Sequence, residues 1–151
     1  MPRKANQNSI NLITSFEGFK LTAYQDSVGI WTIGYGNTMY PNGISVKKGD
    51  VVTKEEALKL FETILSRFET GVDKLVRTDV TENQFGALVS FAYNLGIGTL
   101  QRSDLLRKVI KNSNDVTIRN EFMRFTKAGG KELRGLVRRR TAEADLYFKT
   151  I

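Results

Sequence analysis

Two carboxylates and a hydroxyl near the N-terminus have the residue types that acid–base hydrolysis uses. Eight residues separate Glu17 from Asp26, and five separate Asp26 from Thr32. Cleavage of a glycosidic bond needs a protonated carboxylic acid that donates to the leaving oxygen, and a carboxylate that activates water or stabilises positive charge at the sugar carbon. Glu17 is the better candidate acid because apolar neighbours favour its neutral form, whereas Asp26 in a polar turn is the better candidate carboxylate. Thr32 is a candidate to orient the water by hydrogen bonding.

Spacing alone leaves an ordinary structural interpretation open. Glu17 would then lie on a polar helix face, while Asp26 would be a turn residue and Thr32 a strand former. The catalytic hypothesis requires a helix end followed by a hairpin that folds back towards the helix. Only that arrangement brings all three side chains to one groove.

The composition excludes several other kinds of catalysis. The 151 residues include no Cys and no His, which excludes thiolate nucleophiles, Ser-His-Asp triads and Cys or His metal sites. Acid–base chemistry without a cofactor therefore falls on Asp, Glu, Lys or Tyr. The acidic residues do not have metal-ligand spacing, and no Gly-rich phosphate loop is present. The sequence predicts neither a metal nor a cofactor.

The chain is basic, with 23 Lys and Arg against 16 Asp and Glu and a net charge of +7. Such a charge attracts polyanions. The densest basic run, 134–140, holds four arginines, which we interpret as a solvated helix face that pairs with Glu132, Glu143 and Asp145 at helical spacings. A dedicated polyanion site is the alternative. Because no nucleic-acid-binding motif accompanies the run, nucleic acid is not a predicted partner.

The elements that must position the candidate residues are a helix and a small sheet. Apolar residues at helical spacing predict a helix over residues 9–19, with Gly18 marking its end. Trp31 and its neighbours alternate as in a half-buried strand, which places Trp31 in the core, opposite Thr32. We expect a small antiparallel sheet over about residues 21–45.

The rest of the sequence has helical patterns. Capping boxes at Thr53 with Glu56 and at Thr81 with Gln84 begin two helices, the first running from Lys54 to about Leu75. Because strands and helices do not alternate, the fold class is α+β. Further helices are predicted to begin at Ser103, to carry Ile118, Phe122 and Phe125, and to span 132–148 with Leu133, Leu136, Val137, Ala144, Tyr147 and Phe148 buried.

Four stretches resemble a known family. Residues 17–38, EGFKLTAYQDSVGIWTIGYGNT, resemble the catalytic signature of bacteriophage-type lysozymes, the endolysins of glycoside hydrolase family 24. That signature is a Glu, eight residues, an Asp or Cys, five residues, a Thr, then Ile-Gly and a Gly-containing turn. Residues 87–96 (ALVSFAYNLG) and 103–108 (SDLLRK) resemble the family too, and 128–147 (AGGKELRGLVRRRTAEADLY) resemble its lambdoid branch.

The resemblance implies a fold and an activity. The expected fold is lysozyme-like: one α+β domain over 1–151, with a β-rich lobe over about 20–75 and a helical lobe over about 76–151 that includes the N-terminal helix at about 8–19. A long helix joins the lobes, and the active-site cleft lies between them. The implied activity is cleavage of the β-1,4 bond between N-acetylmuramic acid and N-acetylglucosamine in peptidoglycan, which lyses the host wall for phage release.

Carried over position by position, the resemblance implies that Glu17 is the proton donor, that Asp26 assists the attacking water and that Thr32 holds that water. The family inverts, so the two carboxyl groups should lie about 6.5–9.5 Å apart to leave room for water. Asn37 receives no role, because many lysozymes have His there. The implied sugar contacts are Gly36, Thr38, Tyr93 and Ser103.

The resemblance also implies partners and a location. The substrate is bacterial peptidoglycan, and release depends on a holin, a separate membrane pore protein. Some branches carry an N-terminal signal-anchor helix and regulatory Cys residues, and neither is seen in this sequence. We therefore expect a monomer without a stable membrane anchor, accumulating in the host cytoplasm before it acts on the wall. The alternative function is a basic helical module that binds nucleic acid or anionic surfaces without catalysis.

Overall fold

The computed structural model describes residues 3–150, which form helices and two small antiparallel sheets. The chain divides into two units. The hairpin unit is residues 17–67, and the helical unit combines the chain up to Phe16 with the chain from Phe68 onward. The sequence led us to divide the chain after residue 75. The division lies earlier because the last turns of the long helix belong with the N-terminal residues; Glu69, for example, accepts a hydrogen bond from the backbone N–H of Ala5 at 2.6 Å.

The hairpin unit is built on strands β1 (Lys20–Gln25) and β2 (Trp31–Gly34), which pair antiparallel. Tyr24 lies opposite Thr32 in this pairing. The outer edge of β1 is held as well, because the N–H of Ala23 donates to the carbonyl of Asp50 at 2.9 Å. The predicted small sheet is therefore present, with β1 held on both sides.

Strand β2 is buried on both faces, which the alternation in sequence did not indicate. Thr32 is 4% exposed and Ile33 0% exposed, while Trp31, predicted to be core, is half-buried. Next along the chain, the Tyr35 ring lies 5.4 Å from the Phe19 ring and 5.0 Å from the Phe61 ring. Side chains cover both sides of this strand, so Thr32 does not lie on a solvated polar face.

The long helix α2 (Lys54–Leu75) has the predicted bounds. Its capping box is formed: Thr53 Oγ1 accepts from the N–H of Glu56 at 3.1 Å, and the Glu56 carboxylate accepts from the N–H of Thr53 at 3.0 Å. Gly71 does not interrupt the helix. A Cβ at that position would lie 2.7 Å from Cδ1 of Ile97, so the glycine allows close packing.

The helical unit contains most of the other elements. Helix α3 (Glu82–Leu95) is buried along ten consecutive residues, 83–92, and forms the centre of this unit. The turn between β3 (Lys127–Ala128) and β4 (Lys131–Glu132) contains Gly129 and Gly130, both with positive φ. No strands were predicted here from the sequence. The elements are α1 (Gln7–Glu17), α3 (Glu82–Leu95), α4 (Ile97–Gln101), α5 (Asp104–Lys111), α6 (Ile118–Phe122), β3 (Lys127–Ala128), β4 (Lys131–Glu132) and α7 (Arg134–Tyr147).

Three helix predictions are corrected at their ends. Helix α1 ends at Glu17 rather than at residue 19, because Gly18 has a φ of +59°. Phe125 lies outside α6, which is a short helix. Leu133, predicted to be buried, is 44% exposed, because the chain enters α7 from the β3–β4 hairpin instead of from a helical turn.

The interpretation of run 134–140 as a solvated face is wrong for two of its arginines. Arg139 is 4% and Arg140 0% exposed. Their Nε atoms lie 3.3 and 2.7 Å from the carboxylate of Glu143, which is fully buried and also accepts a hydrogen bond from Ser90 Oγ at 2.6 Å. Buried charges require such partners. Glu143 was a predicted partner, whereas Asp145 pairs with Arg119 at 2.8 Å.

Candidate active site

Glu17 lies at a change of backbone direction between α1 and β1. Gly18, with its positive φ, ends the helix and turns the chain into the strand. Glu17 is half-buried and borders a cavity of about 400 Å³ within the hairpin unit. The other lining residues are Gly18, Phe19, Lys20, Tyr24, Gly34, Tyr35 and Gly36.

Asp26 is fixed by the hairpin turn that follows β1. Its Oδ1 accepts hydrogen bonds from the N–H groups of Val28 and Ile30, both at 2.9 Å. Its own N–H donates to the carbonyl of Ile30 at 2.9 Å. Within residues 3–150, Oδ2 makes no hydrogen bond, so one carboxylate oxygen is immobilised and the other is available to a ligand or water.

Thr32 is connected to Asp26 through the same turn. Its hydroxyl donates to the carbonyl of Ile30 at 2.9 Å. That bond uses the hydroxyl proton and leaves oxygen lone pairs as acceptors. The Asp26 carboxylate and the Thr32 hydroxyl are thus both fixed by the backbone of Ile30.

Strand pairing relates Thr32 to Tyr24, which borders the cavity. Residues opposite each other in an antiparallel pair direct their side chains to the same face, so Tyr24 and Thr32 share a face. Asp26 follows Tyr24 by two residues and lies in the turn, one residue beyond the end of β1. Tyr24 borders the cavity with Glu17, although Asp26 and Thr32 are not among its lining residues. The expected distance between the two carboxyl groups stays a prediction.

The four predicted sugar contacts have different surroundings. Gly36 borders the Glu17 cavity, and Thr38 is exposed in the hairpin unit. In the helical unit, Tyr93 is half-buried, with its ring 5.1 Å from that of Phe68. Ser103 is 4% exposed; its hydroxyl accepts from the N–H of Leu106 at 3.0 Å and donates to the carbonyl of Leu100 at 2.7 Å. Ser103 is therefore the N-cap of α5, and its hydroxyl is used within the protein.

Sequence reasoning missed the aromatic rim of the cavity. Phe19 is 42% and Tyr24 37% exposed, so both present ring surface at the opening. An aromatic ring offers an apolar face, and Tyr adds a polar hydroxyl, which suits a ligand with both characters. The available signal was the position of Tyr24, two residues before Asp26 on a strand. The single Trp of the chain, Trp31, was predicted to be core and not a sugar contact.

The loop after the hairpin is held by a tyrosine and a carboxylate. Tyr40 donates to Asp50 Oδ2 at 2.8 Å. Burial, together with this bond, raises the pKa of Tyr40 to about 12. The N–H of Lys47 also donates to Asp50 Oδ2, and this bond and that of Tyr40 lower the pKa of Asp50. The Tyr40–Asp50 bond therefore persists through the neutral pH range.

Comparison with known proteins shows the family to which the chain belongs. The phage lysozyme family model matches residues 14–143, which include the candidate acid, the hairpin and most of the helical unit. The chain belongs to the phage lysozyme family. This confirms the resemblance that the spacing of Glu17, Asp26 and Thr32 indicated.

Relatives and solved structures agree with the family and the fold. The chain is 44% identical over 145 residues to an endolysin of Bacillus phage B103, covering 95% of this chain and 53% of that protein. The chain spans about half the length of the first curated relatives that it matches (53% and 54%). A variant of P22 lysozyme aligns with a TM-score of 0.87 at 32% identity, covering 97% of this chain and 99% of that one. An endolysin from Escherichia coli O157:H7 phage FAHEc1 aligns with a TM-score of 0.85 at 34% identity, covering 98% and 95%. These neighbours confirm the lysozyme-like α+β fold class.

Proposed function

We propose that the protein is a peptidoglycan hydrolase that cleaves the β-1,4 bond between N-acetylmuramic acid and N-acetylglucosamine and so lyses the bacterial host wall for phage release. The observation that carries the proposal is the placement of Glu17 in an open cavity beside a hairpin that fixes Asp26. Membership of the phage lysozyme family and the endolysin and lysozyme names of its relatives support it.

In the proposed mechanism, Glu17 protonates the leaving glycosidic oxygen. Asp26 accepts a proton from a water that attacks the sugar carbon from the opposite face, which inverts the configuration of that carbon. The geometry of Asp26 supports this role, because Oδ1 is held by two N–H groups while Oδ2 is left for water. The Thr32 oxygen then accepts a hydrogen bond from the same water and orients it.

Further inferences follow from this function. Peptidoglycan is the inferred substrate. Gly36 and the aromatic rim, Phe19 and Tyr24, are inferred to contact the glycan. Thr38 and Tyr93 are kept as proposed contacts, whereas Ser103 is assigned to its helix cap. Release from the host cytoplasm through a holin and a monomeric state are proposed on the same basis.

Within residues 3–150, no helix is long and apolar enough to cross a bilayer, and no cluster of acidic residues could hold a metal ion.

The burial of Arg139 and Arg140 weighs against the alternative of a basic binding module. Arg139 and Arg140, two of the four arginines of the densest basic run, contact Glu143 inside the helical unit. They are therefore not available on the surface to a polyanion. The remaining basic residues do not form a known nucleic-acid-binding motif.

Clearing of purified peptidoglycan tests the proposal. We expect E17Q and D26N each to reduce the rate by about 100-fold or more, the usual contribution of a positioned acid or base. Asn at position 26 retains an oxygen for the two N–H bonds, so D26N removes the charge with little change in the turn. E62Q, at an exposed glutamate of α2, is the matched control and should retain the wild-type rate.

Product analysis tests the reaction itself. Freshly released muropeptides should carry new reducing ends on N-acetylmuramic acid, and proton NMR should show the α-anomer first, because inversion converts a β-linkage to an α-product. Near wild-type clearing by E17Q would refute the assignment of the acid. DNA binding at physiological salt without any clearing of peptidoglycan would favour the binding module.

A further inference from the structure

One wall of the Glu17 cavity is a tight turn. Gly34, Tyr35 and Gly36 all border the cavity. Two backbone hydrogen bonds between Ile33 and Asn37 close the base of this turn, at 2.8 and 2.9 Å. The position of the wall therefore depends on what holds the base of the turn.

The side chain of Asn37 joins the turn to helix α2. Asn37 is 3% exposed, and its Nδ2 donates to the carbonyl of Leu60 at 3.0 Å. Its Oδ1 faces Gly34, where a Cβ would lie only 3.2 Å from that oxygen. The same Cβ would lie 3.8 Å from Cα of Ala57 in α2. The Asn37 amide thus fills the space between the cavity wall and the helix, and Gly34 allows the close approach.

The hydrogen bonds of Asn37 are unusual for a residue that acts only in stability. Oδ1 is buried and has no hydrogen-bond partner among residues 3–150. An unpaired buried acceptor is unfavourable, and an apolar side chain of similar size would avoid it. The Leu60 carbonyl does not depend on Asn37 either, because Thr63 Oγ1 donates to it at 2.6 Å. In native structures such an unpaired group requires an explanation, and a strained position beside a functional site is one.

We propose that Asn37 is a positioning residue: it sets the distance of the Gly34–Gly36 wall from α2 and so fixes where a glycan lies relative to Glu17. The proposal rests on the proposed function, since Glu17 is the acid there. Asn37 does not border the cavity and acts through the turn. A displacement of the substrate by about 1 Å can reduce catalysis about 100-fold, so the effect of losing Asn37 should appear in the rate of the reaction.

Two variants separate positioning from stability. N37L keeps the size of the side chain and removes both polar groups, and Asn37 has an ordinary negative φ that Leu can adopt. T63V is the matched control, because it also removes a hydrogen bond to the Leu60 carbonyl but leaves the turn untouched. Initial rates would be measured on solubilised, uncross-linked glycan strands, at a temperature at which circular dichroism shows both variants to be folded. N37S replaces N37L if N37L does not fold.

We expect N37L to lower kcat at least tenfold, with KM changed less than threefold, and T63V to change neither by more than twofold. Amide hydrogen exchange at Gly34, Tyr35 and Gly36 should accelerate about tenfold in N37L and not in T63V. A folded N37L with kcat within twofold of the wild type would overturn the proposal.

The same experiment distinguishes the two proposals. If the wild type and E17Q cleave the strands equally, or neither cleaves them, the proposed function fails. Hydrogen exchange then decides the remaining claim by itself, because it measures the turn without any substrate. Unchanged exchange at Gly34, Tyr35 and Gly36 in N37L would show that Asn37 does not hold the wall.

Discussion

Replacement of Glu143 by Gln is expected to destabilise the helical unit strongly. The Glu143 carboxylate is fully buried and lies 3.3 Å from Nε of Arg139 and 2.7 Å from Nε of Arg140, which are buried too. Gln has the same shape and can still bond to Ser90, so the change removes charge rather than volume. Loss of one partner of a buried ion pair costs about 3–5 kcal/mol, because the other charge is left uncompensated.

Urea unfolding followed by far-UV circular dichroism measures this loss. Native domains have a free energy of unfolding of about 5–15 kcal/mol, so E143Q should lose a large part of it. For a chain of this size the melting temperature should fall by about 6–20 °C. D104N is the control: Asp104 contacts Arg107 and Arg124 with a side chain that is 46% exposed, and exposed ion pairs contribute little.

The two variants together define the results that would refute the reasoning. The reasoning is wrong if E143Q unfolds at the same urea concentration as D104N, since buried and exposed pairs would then be equivalent. It is also wrong if adding R140M to E143Q recovers none of the free energy of unfolding that E143Q loses. The double variant removes both Arg140 and the charge of Glu143, so it should be more stable than E143Q alone.

Three further predictions concern stability, and one of them also tests a predicted sugar contact. G86A should lower the free energy of unfolding by about 1–3 kcal/mol or more, measured in urea, because a Cβ there would lie 1.6 Å from Ser9 Oγ. S103A should lower the free energy of unfolding by about 1 kcal/mol, because it removes a helix cap, but its kcat/KM on glycan strands should not change. A tenfold fall in kcat/KM would instead support the predicted sugar contact. The hydrogen bond from Arg3 lowers the pKa of Asp73 below its ordinary 3.8. The ionised Asp73 therefore stabilises the folded state above pH 3.8, and this contribution is lost as the pH falls through the lower pKa of the folded state. D73N should therefore be less stable than the wild type at pH 7, by no more than about 1 kcal/mol after solvent screening, and the difference should vanish in acid melts.

Features fixed by neighbouring residues were predictable from the sequence. The capping boxes at Thr53 and Thr81 need partners only three residues away, and both are formed. Gly18 ends α1 because its own backbone adopts a positive φ. The turn that fixes Asp26 belongs to the same class, since its hydrogen bonds reach no more than four residues along the chain.

Features that depend on distant parts of the chain were not predictable in the same way. The sequence pattern indicates surface positions for Arg139 and Arg140. Only the packing of α7 on α3 buries them, in contact with Glu143 and Ser90. The β3–β4 hairpin has strands of two residues, too short for any alternation to be visible. Ser103 was correctly predicted to be a cap, but only the structure shows that its hydroxyl also donates to the Leu100 carbonyl, so that it both donates and accepts within the protein.

The sequence by itself determined the residue types that are proposed to perform the chemistry, their order, and the local turns that present them, because these depend on contacts within a few residues. Tertiary structure decided which side chains border the Glu17 cavity and which charges are buried. It also placed Asn37 against a helix carbonyl 23 residues away, a contact that its sequence neighbours do not indicate and on which its proposed positioning role depends. Burial and long-range hydrogen bonds depend on where separate segments meet in space, and no local pattern in the chain records that.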